Sequence, residues 1–342
     1  MNWELSADMA QPPQPPAVSV IIPAYRHADM ICETLESVFS QTFTDFEVIV
    51  VNDGSPDRTA QVVAPFVANG KIRYFSQRNA GQAAARNRGA SEARGKFFAF
   101  LDDDDVWPPE KLEWQVKYLE TNPDVGVVAG WCEVFQDKIP SLGVEPTFFS
   151  GPWGSIDLML LARCSPISSP GQTLIRADLF RELGGFDPNV SGADDFDFWF
   201  RALRQGRVEI APQVALFYRS HPGTASRDAD HMFASCLLVA KRQLSRASPV
   251  LQPELFEAFY RQIYHYAGHR LTRDWTFLWG DSHNLWSRLR SRAKSLRAIM
   301  GERTLRRLFL HGLASAAQRR LRSAAARLFA KISRSSELDR GA

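Results

Sequence analysis

The chain predicts an α/β fold, a mostly parallel central sheet flanked by helices, followed by a helical basic C-terminal region. Two observations predict the sheet, and a third marks out the tail. Short apolar runs alternate with helical stretches from residue 18 to residue 101, the order that builds a parallel sheet. Each run stops at turn-forming or acidic residues. Finally, charge is unevenly spread: the net charge is +3, yet Asp281 to Arg334 carries fourteen Lys/Arg against two acids. The body before residue 281 is therefore acidic and the tail basic, a pattern that speaks of partners rather than of fold.

The elements follow in order. Val18 to Ile22 is a short apolar strand ended by Pro23, and Ala28 to Ser40 is a helix with Ile31, Leu35, Val38 and Phe39 on one face. Phe46 to Val51 is a second strand, closed by the turn formers Asn52-Asp53-Gly54-Ser55-Pro56. A helix over Arg58 to Ala68, a strand over Ile72 to Phe75 and a helix over Gln82 to Ala93 come next. Phe97 to Leu101 is the fourth strand, and a helix starts near Trp107-Pro108-Pro109-Glu110.

Beyond about Val134 the pattern weakens. Residues 136–155 read as a long loop, followed by a helix near Ile156 to Ala162 and a strand near Thr173 to Ile175. Asp178 to Leu183 is helical and ends at Gly184-Gly185. Asp194-Asp195-Phe196-Asp197 opens a helix to about Arg204, Ala215 to Arg219 is a strand, and everything from about Asp230 is helical.

Four consecutive aspartates, Asp102 to Asp105, follow the fourth strand directly. In extended backbone Asp102 and Asp104 would point one way and Asp103 and Asp105 the other. Four carboxylates at one strand end repel unless a cation sits among them, and hard divalent ions take such oxygen ligands. A solvated acidic turn that caps the next helix accounts for the same residues. In parallel sheets ligands gather beyond the carboxyl ends of the strands, and Tyr25, Asp53 and the aspartate run all lie there.

Composition excludes several classes. Cys32, Cys132, Cys164 and Cys236 are far apart, so neither a disulfide framework nor a zinc site is expected. Met1 to Pro16 lacks a basic n-region and an apolar core, and reads as a disordered Pro/Gln-rich lead-in rather than a secretory signal. No window reaches the roughly 18 apolar residues of a membrane span. The expected location is cytoplasmic, at most peripheral on the inner face of a membrane.

The chain resembles the family 2 inverting glycosyltransferases of the GT-A fold. The resemblance is carried by Val18-Ser19-Val20-Ile21-Ile22-Pro23-Ala24-Tyr25, Val48-Ile49-Val50-Val51-Asn52-Asp53-Gly54-Ser55, and Asn79-Ala80-Gly81-Gln82-Ala83-Ala84-Ala85-Arg86-Asn87-Arg88-Gly89. Phe100-Leu101-Asp102-Asp103-Asp104-Asp105, Gly184-Gly185-Phe186-Asp187 with Asp194-Asp195, and Tyr218-Arg219-Ser220-His221 complete it. It spans roughly residues 17–225, leaving 226–342 as a helical C-terminal region. The order and spacing of six motifs are specific together, whereas each alone is weak.

The resemblance implies roles for single residues. Pro23, Ala24 and Tyr25 would line the nucleotide pocket. Asp53 would accept a hydrogen bond from the base, although a plain turn-forming aspartate explains it too. Arg86 would reach the diphosphate or the base. Asp102 and Asp104 would form an Asp-x-Asp element on Mg²⁺ or Mn²⁺ and the donor, and His221 would stand near the metal. Asp195 would be the general base, a role typically contributing roughly 10²–10⁴-fold, with Asp194 left to cap the helix start. The implied activity is metal-dependent transfer of one sugar from a nucleotide-sugar, UDP-linked, to a hydroxyl of a glycan or lipid-linked glycan precursor. A non-catalytic nucleotide-sugar- or membrane-binding protein of the same fold is the alternative. The Gln-x-x-Arg-Trp motif of processive synthases is absent, which favours one sugar per encounter. A dinucleotide enzyme would need a Gly-x-Gly-x-x-Gly turn where Pro23-Ala24-Tyr25-Arg26 stands.

Residues 303–334 place Leu305, Leu308, Leu313, Leu321 and Leu328 on one helical stripe, with most arginines off it. A basic amphipathic helix on an anionic membrane surface and a helix docked on the catalytic domain both fit. No nucleic-acid-binding motif is present, and no nucleic-acid partner is expected.

Overall fold

A computed structural model of the chain describes residues 14–136, 166–190, 192–221 and 229–248, with isolated positions at 139, 154, 155, 157, 162, 255 and 258. The chain divides into a unit over Met1–Phe259 and a second over Tyr260–Ala342. The second unit lies outside the described residues, as do the lead-in expected before residue 14 and the basic stripe over residues 303–334.

Eight strands among the described residues form one sheet: β1 Val18–Ala24, β2 Phe46–Asn52, β3 Arg73–Ser76, β4 Phe97–Phe100, β5 Val125–Phe135, β6 Gly154–Ser155, β7 Thr173–Arg176 and β8 Arg207–Arg219. Their order is β3-β2-β1-β4-β7-β5-β8-β6. The helices are α1 Ile31–Phe39, α2 Thr59–Ala68, α3 Gln82–Glu92, α4 Lys111–Thr121, α5 Ala177–Glu182, α6 Asp194–Gln205 and α7 Ala229–Arg246. Pairing is parallel from β3 through β4. Strand β7 runs antiparallel to both β4 and β5, and β5 pairs parallel with β8. Two reversals restore the direction, so β8 emerges at the same sheet edge as β1, β2 and β4. That is the edge where the sequence places its acidic residues.

Burial explains the runs. All seven residues of β1 and all four of β4 are buried, as expected for strands covered on both faces. Pro23 survives inside β1 because β4 pairs only as far as Ile21 and Phe100. Past that point the β4 side of β1 has no ladder bond for a proline to break. Ile31, Leu35 and Val38 of α1 close one face of the sheet. Helix α3 lies so close on the other that a Cβ on Gly89 would stand 2.4 Å from Ile21 Cγ2. A string of aromatic contacts through Phe98, Phe100, Phe180, Phe186 and Phe198, with centroids 5.1–5.6 Å apart, joins β4 to α5 and α6. Such pairs add about 0.5–1.5 kcal/mol each beyond their burial.

Three features differ from the sequence reading. Strand β5 was not anticipated, and β8 begins at Arg207 rather than Ala215. The aspartate run is not extended strand: β4 stops at Phe100, and the Asp105 N–H donates to the Asp102 carbonyl at 3.2 Å, closing a turn. The strict alternation of side chains expected there does not apply. Of the helix expected near Ile156 to Ala162, only Asp157 and Ala162 are described.

Candidate active site

The turn after β4 spreads its four carboxylates among six partners. Asp102 Oδ1 accepts from Arg86 Nη2 at 2.7 Å and from Gln82 Nε2 at 2.8 Å. Asp103 Oδ2 accepts the Tyr25 N–H at 2.8 Å, and its Oδ1 lies 2.7 Å from His27 Nδ1. Asp104 Oδ2 lies 2.9 Å from His221 Nε2, and Asp105 Oδ1 accepts the Arg219 N–H at 2.8 Å. Mutual repulsion was the reason to expect a cation among them. The protein itself already answers each carboxylate, so the acidic run alone does not demand a metal.

The electrostatics reflect the crowding. Burial first, then the charges of Asp104 and Asp102, push Asp105 well above the ordinary carboxylate range. Burial also raises Asp103, to about 6, against the pull of His27. Burial depresses the His27 imidazole, but its hydrogen bond to Asp103 and the charges of Asp103, Asp104 and Asp102 outweigh this and lift it to about 9.

Pro23 and Ala24 are the last buried residues of β1, with Tyr25 half-buried just beyond. Arg26 adopts a left-handed backbone, φ 65°, and its N–H donates to Ser55 Oγ at 2.8 Å. That kink turns the chain so that Tyr25 and His27 address the two oxygens of one carboxylate. Asp53 directly follows β2 and is 3% exposed. Its Oδ1 accepts from Gln77 Nε2 at 2.8 Å and the Ala80 N–H at 2.9 Å, and its Oδ2 accepts the Gly81 N–H at 2.8 Å. Three of about four acceptor positions on the carboxylate are thus spent holding the segment that leads into α3.

Arg86, on α3, is 2% exposed and bridges two acids: beside its bond to Asp102, Nη1 donates to Asp194 Oδ2 at 3.1 Å. The paired carboxylates raise the guanidinium further above its ordinary range although burial opposes this. The bridge draws the start of α6 against the turn after β4. Asp194 therefore faces Arg86 and is not the helix cap expected of it, and no side chain caps α6 at Ala193. Asp195 Oδ1 accepts the Phe196 N–H at 2.7 Å. Burial, then the charge of Asp194, raise the Asp195 carboxyl to about 7, Arg86 opposing. A carboxyl poised there can take up a proton near neutral pH.

Asp104 and His221 fit a divalent cation, because a carboxylate oxygen and a ring nitrogen already stand together. A third donor that the sequence reading missed lies beside them. One ligand atom each from His27, Asp104 and His221 fall within 4.8 Å of one another, the cluster of this kind found among the described residues. No motif marks His27. Its position two residues beyond the Tyr25 that ends the first motif was the available signal.

Comparison with known proteins bears on the family and the fold. Residues 19–184 match the family described as Glycosyl transferase family 2. An uncharacterized glycosyltransferase of Rickettsia typhi (strain ATCC VR-144 / Wilmington) is 32% identical over 223 residues, covering 65% of this chain and 69% of its own. One from Rickettsia felis is 30% identical over 223 residues, but the match spans only 37% of that longer protein. Among solved structures, S. aureus TarS 1–349 in complex with UDP-GlcNAc superposes with a TM-score of 0.60 at 18% identity, covering 82% of this chain and 81% of that one. The mannosyltransferase PcManGT from Pyrobaculum calidifontis, in complex with GDP-Man and Mn²⁺, gives 0.56 at 21% identity over 89% and 87%. At such identities the likeness to these two is one of fold, the GT-A arrangement. With its motifs, its sheet and a relative matched over most of that relative's length, the chain belongs to the family 2 glycosyltransferases.

Proposed function

We propose that this glycosyltransferase is metal-dependent and inverting, and that it moves one sugar from a UDP-linked donor to a hydroxyl of a glycan or lipid-linked glycan precursor. The observation that carries this reading is the Arg86 bridge, which sets Asp195 one residue from a carboxylate tied to Asp102. An acceptor base thereby stands next to the donor-binding acid. Pro23, Ala24, Tyr25 and Asp53 would wall the nucleotide, the one acceptor position left on Asp53 suiting a base with an imide N–H. Asp102 would hold the donor, and Asp104 with His221 would hold Mg²⁺ or Mn²⁺. Bound there, the cation would act as a Lewis acid toward the departing diphosphate.

Asp195 would take the proton from the acceptor hydroxyl as its oxygen forms a bond to the anomeric carbon. The bond to the diphosphate breaks on the opposite face, the electron pair leaves with the diphosphate, and the configuration inverts. That a protein of the same fold was solved in complex with GDP-Man and Mn²⁺, and another with UDP-GlcNAc, supports a nucleotide-sugar and a divalent ion as the partners. A thermal-shift panel of UDP-, GDP- and dTDP-sugars, with and without Mn²⁺, tests the reading. It expects the largest shift for one UDP-sugar with metal, and donor hydrolysis in Mn²⁺ would distinguish an enzyme from a mere binder.

No helix among the described residues is long and apolar enough to cross a membrane. The basic stripe over residues 303–334 supports a peripheral contact with anionic lipid, which a lipid-linked acceptor would need. Deleting residues 300–342 should then reduce sedimentation with anionic liposomes. Equal sedimentation would remove the membrane contact from the proposal.

A further inference from the structure

We propose that His27 is a third protein ligand to the divalent cation, beside Asp104 and His221, with Asp103 as the carboxylate that orients it. The inference rests on the metal-dependent reading above, and adds to it a ligand and a metal preference.

The geometry is that of a built site. Its three donors come from three separate places: the turn after β1, the turn after β4 and the end of β8. Their ligand atoms lie within 4.8 Å of one another. Two donors on one ion, each at about 2.0–2.2 Å, stand at most about 4.4 Å apart. Three donors around one ion cannot all lie opposite one another, and spread evenly they stand about 3.6 Å apart, so closure needs a contraction of up to about 1.2 Å, supplied by side-chain rotation. The two imidazoles already meet edge to face, centroids 5.2 Å apart and planes at 89°. Neither histidine side chain is more than 20% exposed.

What lies behind His27 argues the same way. Metal-binding histidines commonly donate their second ring N–H to a carboxylate, which fixes tautomer and ring orientation. His27 Nδ1 is 2.7 Å from Asp103 Oδ1, and donation there leaves the Nε2 lone pair for a metal. Asp103 is itself fixed, since its other oxygen holds the Tyr25 N–H. Between these two contacts sits Arg26 in the left-handed region. A non-glycine residue there carries a conformational cost that surrounding structure must sustain, and strained backbone of this kind gathers at functional sites. Here the kink is what lets one carboxylate grip both its neighbours.

Two imidazoles and one carboxylate make a donor set unlike that of a Mg²⁺ site, which is built of oxygen and retained waters. Imidazole suits the transition metals, while the carboxylate still accommodates Mn²⁺. The site should therefore favour Mn²⁺ over Mg²⁺ because of its nitrogen ligands, rather than treat them alike.

The test uses the full-length protein loaded with Mn²⁺ alone, read by calorimetry and by pulsed electron paramagnetic resonance. The wild type should show ¹⁴N couplings from two imidazoles and bind Mn²⁺ about tenfold or more tightly than Mg²⁺. His27→Asn keeps an amide N–H where Nδ1 stood, and so keeps the bond to Asp103 while losing the Nε2 donor. It should show one imidazole coupling and bind Mn²⁺ about 10–100-fold more weakly, with a melting temperature near the wild type's. Mn²⁺ held with one imidazole in the wild type, and equally well by His27→Asn, would overturn the assignment and leave the metal-dependent reading standing. No uptake of Mn²⁺ or Mg²⁺ by the wild type, with or without a nucleotide-sugar, would defeat that reading itself. If His27→Asn fails to fold, the count of imidazole couplings in the wild type decides alone.

Discussion

Asn87 grips the backbone of Phe186 from both sides: its Nδ2 donates to the Phe186 carbonyl at 2.7 Å, and its Oδ1 accepts the Phe186 N–H at 2.9 Å. The grip requires glycine next door. Gly185 has φ 73°, and a Cβ there would stand 2.5 Å from Asn87 Oδ1. Through this clasp α3, which carries Arg86, is fastened to the loop that leads into α6 and Asp195. Asn87→Ala leaves two backbone groups without partners, each worth about 1–3 kcal/mol when buried. The expected loss is about 2 kcal/mol or more, seen as a fall of several degrees in Tm, with turnover reduced as α6 loosens. An unchanged melting curve would show that the clasp adds nothing to the fold.

Asp195→Asn should lower turnover by about 10²–10⁴-fold while donor affinity, measured by calorimetry, stays near the wild type's. Because burial and Asp194 raise the carboxyl to about 7 and a base acts deprotonated, wild-type kcat/KM should rise with pH through about 7 and then level. The sign for stability is opposite. A carboxyl with a raised folded pKa stabilises the fold at low pH, and that contribution is lost as pH climbs toward about 7. The amide variant should lack this slope and be the more stable protein at pH 8 by thermal denaturation. A pH–rate profile with no limb near neutrality would remove Asp195 from the base role.

Arg86→Met should be severe for a different reason. It strands Asp102 and Asp194 around a guanidinium-sized gap, and breaking a buried pair typically costs about 3–5 kcal/mol. Adding Asp194→Asn should recover part of the loss. Chemical denaturation of the two single variants and the double variant measures the coupling, and strict additivity would mean that the bridge is energetically idle.

Lys111 is fully buried, its Nζ donating to Gln115 Oε1 at 2.7 Å and the Thr173 carbonyl at 3.1 Å, 4.0 Å from the centre of the Trp107 ring. Burial holds its ammonium well below the usual lysine range. Folding therefore favours release of a proton. The penalty is full below the folded pKa and fades as pH rises toward the ordinary value near 10.5. Unfolding free energy of the wild type should climb over that alkaline window, and Lys111→Met should flatten the climb.

The legible parts of this fold are those where burial leaves one kind of residue at every position. Val18 to Ile22 and Phe97 to Phe100 could be read because both faces of each strand are covered. Strand β5 could not, because neighbours press so close that side chains are excluded. A Cβ on Gly126 would lie 2.4 Å from Leu179 Cδ2, and one on Gly130 would lie 2.5 Å from the Gln213 carbonyl. Glycines that read as turns are there to admit α5 and β8. The first half of β8 was hidden by Pro212, which falls in an irregular stretch where Ile210 pairs Ala129 but Val214 pairs Trp131, the kind of place a strand tolerates proline. At the site, Asp53, Arg86, Asp102, Asp104, Asp195 and His221 were nameable from motifs in order. His27 was not, since its relation to Asp104 and His221 exists only once β8 has returned to the sheet edge.

Asp53 holds Gln77, Ala80 and Gly81 with both oxygens, so this residue is a rivet as much as a recognition element. Any exchange there has pleiotropic effects: freeing residues 77–81 unsettles the first turn of α3, and with it the Gln82 amide that steadies Asp102. A phenotype from Asp53→Asn would thus spread from the wall proposed for the nucleobase to the acid proposed to hold the donor, some fifty positions downstream, and geneticists scoring it would see a compound lesion rather than a lost contact.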